Sequence, residues 1–436
     1  MGIVKKITNG FTATDILQNR LFRHSIFYII ATVIEKAIPF LLLPVMVAYL
    51  STSDYGILQN YIGLQQILMA FVGFSAMGAI GVTFYKKSKE ENAEYIFNFL
   101  LLGVISVVVL SVVILIFHNT ISHNYKLPIK WQMLTILHAY LAFNFILFTG
   151  ILRLEKKPVA YGITSILKTL VEFLVSIYLI VIIGMKWEGR IIGMLVAFGI
   201  FCLASIYHLY KKGYIIPKIR KKCLIDLFVF GLPLIPFTLS QMIRIFLDKG
   251  FITHFQGISE NGIVGLAMNF GMLMYVITFA FSSTFSPTIY EKLSKPRPNT
   301  KKTLVRIIYI YCIGLIGMVF ILSFLSKYFI VKFIKPEWSP AIPYIFWILL
   351  AFAFSGVQGI VSQFIYYAKR TKVLATISVV NNLAHIILSY FFIQWIGTIG
   401  VIYVFCFSAF AGLVVTWFVS AKVYPMPWQL RLNRKI

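Results

Sequence analysis

Apolar runs of 18 or more residues recur from one end of this 436-residue chain to the other. A helix of that length crosses a hydrocarbon core of about 30 Å, and in lipid every backbone polar group must be satisfied within the protein. The runs therefore restrict the chain to a bundle of membrane-spanning helices. The short alternating strands of an outer-membrane barrel are absent. Composition agrees, with 59% of residues hydrophobic and only 12% charged. A soluble protein of this length needs more polar surface. The formal net charge of +26 would suggest nucleic acid on a soluble protein. On this one the basic residues read as membrane-flanking anchors, and no nucleic-acid partner is expected.

Twelve spans are expected, over 26–50, 56–82, 93–117, 131–152, 158–184, 190–210, 224–247, 261–288, 303–325, 341–367, 373–394 and 398–421. Residues 1–25 show no signal-peptide pattern and fit a short helix on the membrane surface. Lys and Arg concentrate in the termini and the even-numbered loops, which the positive-inside rule places in the cytoplasm. The longest basic connection, KKGYIIPKIRKK at 211–222, divides the chain into 1–222 and 223–436. Cys202, Cys223, Cys312 and Cys406 form no CxxC pair. They read as structural thiols, with neither a disulfide framework nor a metal site.

The chain also repeats itself. SDYGI at 53–57 is matched by SENGI at 259–263, and VTFYKKSKE at 82–90 by PTIYEKLSK at 287–295. Residues 156–184 align without gaps to 369–397, placing Lys168 opposite Asn381 and Glu172 opposite His385. The expected fold is all-α, with two six-helix lobes related by a pseudo-two-fold along the membrane normal. Transporters built from such repeats hold substrate between the halves and rock them.

Charges at membrane depth cost at least about 2.5–3.5 kcal/mol each, so they normally face protein or water. At 1.5 Å per residue, Glu35, Lys36, Lys168, Glu172, Asn381 and His385 lie roughly 12–21 Å into their spans. Gln65 and Gln66 reach a similar level. Together they suggest a polar belt drawn from both halves. Lys168 and Glu172 are spaced to pair on one helix face, as are Arg244 and Asp248. A self-neutralising pair packed inside the bundle is the plainer alternative to a binding role. His385 and His138 likewise suit satisfied interior histidines. Arg244 and Asp248 fall near the outer end of the seventh span, downstream of Pro233 and Pro236. The first span carries Pro39 and Pro44. Such prolines free backbone groups that often sit beside a cavity. Arg244 then either meets an anionic ligand in a water-filled cleft or caps a helix end as an ion pair with Asp248.

Several stretches carry a family resemblance. PVMVAYLSTSDYGILQNY (44–61), GLPLIP followed by LDKGF (231–251), SENGIVGLAMNF (259–270) and VVNNLAHIILSYFFIQWIGTIGVIYVFCFS (379–408) cover both halves. The chain resembles the O-antigen-type polysaccharide repeat-unit flippases of the multidrug/oligosaccharidyl-lipid/polysaccharide exporter superfamily. It departs from them at Asp248-Lys249, where Asp-Arg is commoner, and in lacking Tyr after Gly262. The resemblance implies two six-helix lobes around a cavity open alternately to each side of the inner membrane. It implies a cargo of oligosaccharide on undecaprenyl diphosphate for surface polysaccharide such as O-antigen lipopolysaccharide or capsule. A polymerase and a chain-length regulator would be its neighbours. For such a cargo, charge and depth nominate Lys36, Lys168 and Arg244 for the diphosphate. Gln65, Gln66, Asn381 and Asn382 suit sugars, and Glu35, Glu172, His385 and Asp248 a coupling proton.

Two other functions compete. A drug/cation antiporter of the same superfamily would be expected to present unpaired acids, whereas Lys36, Lys168 and Arg244 are basic. A polysaccharide polymerase or membrane acyltransferase needs catalytic residues on long loops or in a His/Asp cluster, and neither is seen. No enzyme, cofactor or nucleotide-binding loop is expected.

Overall fold

The computed structural model describes residues 33–34, 38, 40, 42–294 and 299–428. The surface helix expected over 1–25, and Glu35, Lys36 and Pro39 of the first span, lie outside these residues. All regular structure among the described residues is helical. Helix α1 covers 42–49. It is followed by α2 (Thr52–Phe71), α3 (Met77–Thr83), α4 (Lys89–Tyr125), α5 (Ile129–Leu154), α6 (Pro158–Ile177) and α7 (Trp187–Lys211). The second half holds α8 (Lys221–Gly231), α9 (Ile235–Phe255), α10 (Ile258–Ser294), α11 (Thr300–Phe333), α12 (Ile342–Tyr367), α13 (Thr371–Ile396) and α14 (Thr398–Val423). Ten helices among the described residues are long and apolar enough to cross a membrane, or eleven with one bent pair counted as a span. This is an all-α polytopic membrane protein. Its outer surface carries the large apolar side chains a lipid-facing wall requires, such as Val108, Val112 and Ile116 on α4 and Ile313, Phe320 and Phe324 on α11.

Local chemistry sets the helix starts. Ser51 accepts a hydrogen bond from the Asp54 amide, and Asp54 accepts one from the Ser51 amide. Ser88 and Glu91 repeat this reciprocal cap at α4. Each cap satisfies two backbone donors that the first turn leaves open. Several spans run past their expected ends, as at Tyr125 and Phe333, and two depart in ways that bear on the site. The one expected over 56–82 is broken at 72–75, where Gly73 and Phe74 take left-handed backbone angles, φ 68° and 52°. The Phe143 ring lies against Gly73, leaving no room for a Cβ. The seventh span does not stop at 247. It bends by 42° between Lys221–Leu234 and Thr238–Phe255, at the prolines, and runs on to Phe255. Apolar residues after Lys249 extend the helix, so Arg244 and Asp248 lie inside it rather than at its cap.

The repeated sequences adopt repeated geometry. Lys156 and Lys369 both turn left-handed, with φ 57° and 58°, and so do Gly184 and Gly397, with φ 75° and 70°. Each lysine closes the preceding helix in the same way. The Lys157 amide donates to the Leu152 carbonyl, and the Arg370 amide to the Ile365 carbonyl. These are the wide six-residue bonds of a Schellman ending. The packing repeats too. In the first half α2 packs on α5, α5 on α7, α6 on α7 and α4 on α5. In the second half α10 packs on α12, α12 on α14, α13 on α14 and α11 on α12.

The halves meet where α2 crosses α10 and α9. At the crossing the Ser53 and Ser259 hydroxyls are 2.7 Å apart. A Cβ on Gly56 would collide with the Ile258 carbonyl, and one on Gly262 with the Thr52 carbonyl. The two copies of the repeated motif thus face each other, each glycine admitting the other's backbone. Below them the Asn261 amide donates to Asn60 Oδ1 at 2.9 Å and to the Gly56 carbonyl at 3.1 Å. Small residues and side-chain amides are what close helix crossings use where apolar burial gives no drive.

Candidate functional site

Among the described residues, the nominated charged side chains fall into two clusters, one in each half. In the first half, α6 places Lys168 and Glu172 one turn apart on its buried face. Lys168 Nζ lies 3.1 Å from Glu172 Oε2. A third charge joins them from α7: Arg190 donates to Glu172 Oε1 at 2.6 Å and to Ser176 Oγ at 2.9 Å. All three charged residues are buried. One carboxylate therefore serves two cations, and the cluster keeps a surplus positive charge. The Lys168 ammonium also stands over the Phe198 ring at 4.5 Å, a favourable site for a cation. Nearby, His138 accepts or donates a 3.2 Å bond with the Tyr61 hydroxyl, which fits the satisfied interior histidine expected.

Lys168 lines a cavity of about 520 Å³. Gln65, Gln66 and Met69 contribute from α2; Phe145, Thr149 and Arg153 from α5; Tyr161 and Ser165 from α6; Phe198 from α7; Thr238 and Met242 from α9. No carboxylate lines it among the described residues. Three of the residues nominated for cargo, Lys168, Gln65 and Gln66, are thereby brought together. Arg153 sits at the end of α5, over the Tyr161 ring at 5.2 Å. The acid two residues on is engaged elsewhere: Glu155 accepts from Lys157 at 2.9 Å and from Tyr214 at 2.9 Å. Burial would raise the Glu155 carboxyl, but the hydrogen bonds from Lys157 and Tyr214, together with the positive charges of Lys157 and Lys212, hold it below the usual carboxylate range. Glu155 stays charged and bound to its own partners, and Arg153 faces the cavity.

The second cluster lies between α9, α13 and α14. Asp248 Oδ2 is 2.8 Å from His385 Nε2, and His385 Nδ1 is 3.0 Å from Ser408 Oγ. Ser389 adds a 3.2 Å contact to the same ring. His385 is fully buried. The Arg244–Asp248 ion pair suggested by spacing does not form. Arg244 instead stacks against Phe405, 5.1 Å from the ring centroid, and its Nε has no hydrogen-bond partner among the described residues. Asp248 meets the histidine across the α9–α13 contact, on the face that α9 packs against α13. Neither asparagine of α13 lines the cavity. Asn382 bonds Ser240 at 3.4 Å, and Asn381 packs beside Gly412 and Gln358.

Sequence reading missed Arg190, Arg153 and the placement of Lys249. Arg190 falls on an expected span boundary, where basic residues are usually anchors. The signal was the short connection after Glu172: a tight hairpin sets the last turns of one helix beside the first turn of the next.

A fold of this kind, with paired helical halves, a crossing seam and a cavity, defines a class of membrane transporter. The chain is similar to the inward closed conformation of the lipid II flippase MurJ, with TM-score 0.73, 18% identity and coverage of 90% of this chain and 87% of that one. It is similar to an inward-facing multidrug resistance MATE transporter of the MOP superfamily, with TM-score 0.68, 15% identity and coverage of 89% and 94%. The profile of the polysaccharide biosynthesis protein family matches residues 21–292, and the MatE profile residues 233–391. The chain belongs to the polysaccharide biosynthesis protein family of the MOP superfamily. Among curated proteins, an uncharacterized membrane protein of Haemophilus influenzae is 22% identical over 84% of this chain and 89% of its own length. The Lsg locus putative protein 1 of the same organism is 22% identical over 64% of this chain and 68% of its own.

Proposed function

We propose that this protein is a flippase that moves lipid-linked oligosaccharide repeat units on undecaprenyl diphosphate across the cytoplasmic membrane for surface polysaccharide synthesis. One observation carries the reading. The cavity is lined by Lys168 and Arg153 and by no carboxylate among the described residues, so it suits an anionic headgroup. A diphosphate and sugars cannot cross hydrocarbon unaided, because unpaired polar groups there cost several kcal/mol each. In this reading Lys168 holds the diphosphate, Gln65 and Gln66 hydrogen-bond sugars, and the lipid tail stays in the bilayer. Arg190 and Glu172 keep Lys168 in place. Of the coupling candidates, Asp248 and His385 form one hydrogen-bonded unit, whereas Glu172 serves as counter-charge to two cations.

Twelve spans in two six-helix lobes, divided near residues 222 and 223, complete the proposal, with both termini cytoplasmic. The Ser53–Ser259 seam then closes the outer side and the cavity opens inward. The MatE match favours a second reading, a drug/cation antiporter; the cavity, lined by two cations and by no carboxylate among the described residues, speaks against it. The test is reconstitution with a fluorescent undecaprenyl-diphosphate disaccharide. Wild-type vesicles should flip it faster than protein-free ones, and Lys168→Ala should lower the rate about tenfold, as loss of a charge-assisted contact does. Flipping no faster than in protein-free vesicles would reject the cargo.

A further inference from the structure

We infer that Lys249 is a second anion-binding residue, which takes the diphosphate beneath the seam once the halves part. This inference rests on the flippase reading above.

Lys249 belongs to α9, the helix whose Thr238 and Met242 line the cavity. Seven residues separate Met242 from Lys249, and eleven separate Thr238 from it. At 100° per residue both intervals return to within about 20° of the same helix face. Lys249 therefore stands on the cavity stripe, about 10 Å beyond Met242 at 1.5 Å per residue. That direction leads toward the seam, since its partner Gln59 lies one turn from Gly56 on α2.

The ammonium donates to the Gln59 carbonyl oxygen at 2.9 Å and to Gln59 Oε1 at 3.2 Å. No carboxylate lies within ion-pair distance of it among the described residues. Adjacent Asp248 is turned to His385. Gly63 gives the lysine stem its passage, since a Cβ there would stand 3.2 Å from Lys249 Cδ. A cation inside a spanning helix, answered among the described residues only by two neutral oxygens of the opposite half, is poorly compensated. Those two oxygens occupy the positions that oxygens of a phosphate would take. They belong to α2, so separation of α2 from α9 removes them and leaves the ammonium facing the widened cavity. Lys168 at the inner level and Lys249 at the outer level then form two stations for one headgroup.

The test uses the full-length protein in vesicles, with the same fluorescent lipid-linked disaccharide and with inorganic pyrophosphate as competitor. Lys249→Gln should lower flipping at least about tenfold and weaken pyrophosphate inhibition, while Lys249→Arg keeps most of both, because the charge is retained. Thermal unfolding of both variants checks that they fold. Wild-type flipping with Lys249→Gln equally active overturns the inference and leaves the flippase reading standing. The same follows if Lys249→Gln and Lys249→Arg both fold but fail alike, since a strut to Gln59 and not an anion site would explain that. Absence of flipping by wild type overturns the reading beneath it.

Discussion

Glu172 answers two buried cations at once, Lys168 and Arg190. The consequences of removing each partner are therefore unequal. Arg190→Gln leaves a neutral Lys168–Glu172 pair. Glu172→Gln leaves two cations facing each other without a counter-charge, and breaking a buried pair in this way costs about 3–5 kcal/mol. Glu172→Gln should therefore lower the melting temperature more than Arg190→Gln does. The double variant should recover part of the loss. A wild-type melting temperature for Glu172→Gln in detergent would show that the triad does not hold α6 to α7. The Lys168–Glu172 contact was legible from i,i+4 spacing. The Arg190 contact was not, because it depends on how two helices fold back across a hairpin. The pairing of Asp248 with His385 rather than Arg244 was hidden for the same reason, being a choice between a neighbour along the helix and a neighbour across it.

At the scale of elements, the α2–α10 crossing depends on Gly56 and Gly262. A side chain at either position meets a backbone carbonyl of the opposing helix, which cannot rotate away. Gly56→Leu should force the helices apart and cost about 1–3 kcal/mol, the usual range for overpacking. Gly314 on α11 is the control: it is exposed, with nothing within 4 Å of a built Cβ. Gly314→Leu should leave the melting temperature unchanged, and an equal fall in both variants would remove the argument from close approach. Most helices were legible as apolar runs. The break at Gly73 and Phe74 was not, because a left-handed pair inside an apolar run leaves its hydrophobicity intact. The prolines of the seventh span announced a bend, but its 42° angle reflects what α8 and α9 pack against.

For the whole molecule, the seam at Ser53 and Ser259 makes a prediction about motion. Their hydroxyls are 2.7 Å apart, close to the reach of a disulfide, whose sulfurs sit about 2.05 Å apart. Ser53→Cys with Ser259→Cys, in a background lacking the four native cysteines, should crosslink on oxidation. On the flippase proposal, transport should stop in the oxidised protein and return on reduction. Wild-type flipping by fully crosslinked protein would mean that the halves do not part here. By itself the sequence determined that this is a helical membrane protein with internally repeated segments and buried charge. Those properties follow from local run length, spacing and the cost of charge in lipid. Only the tertiary structure decided which charges meet, that the repeated motifs face each other, and that Lys249 reaches Gln59. The reason is physical: a helix sets which residues share its face, but the partner of that face is chosen by packing between segments far apart in the chain.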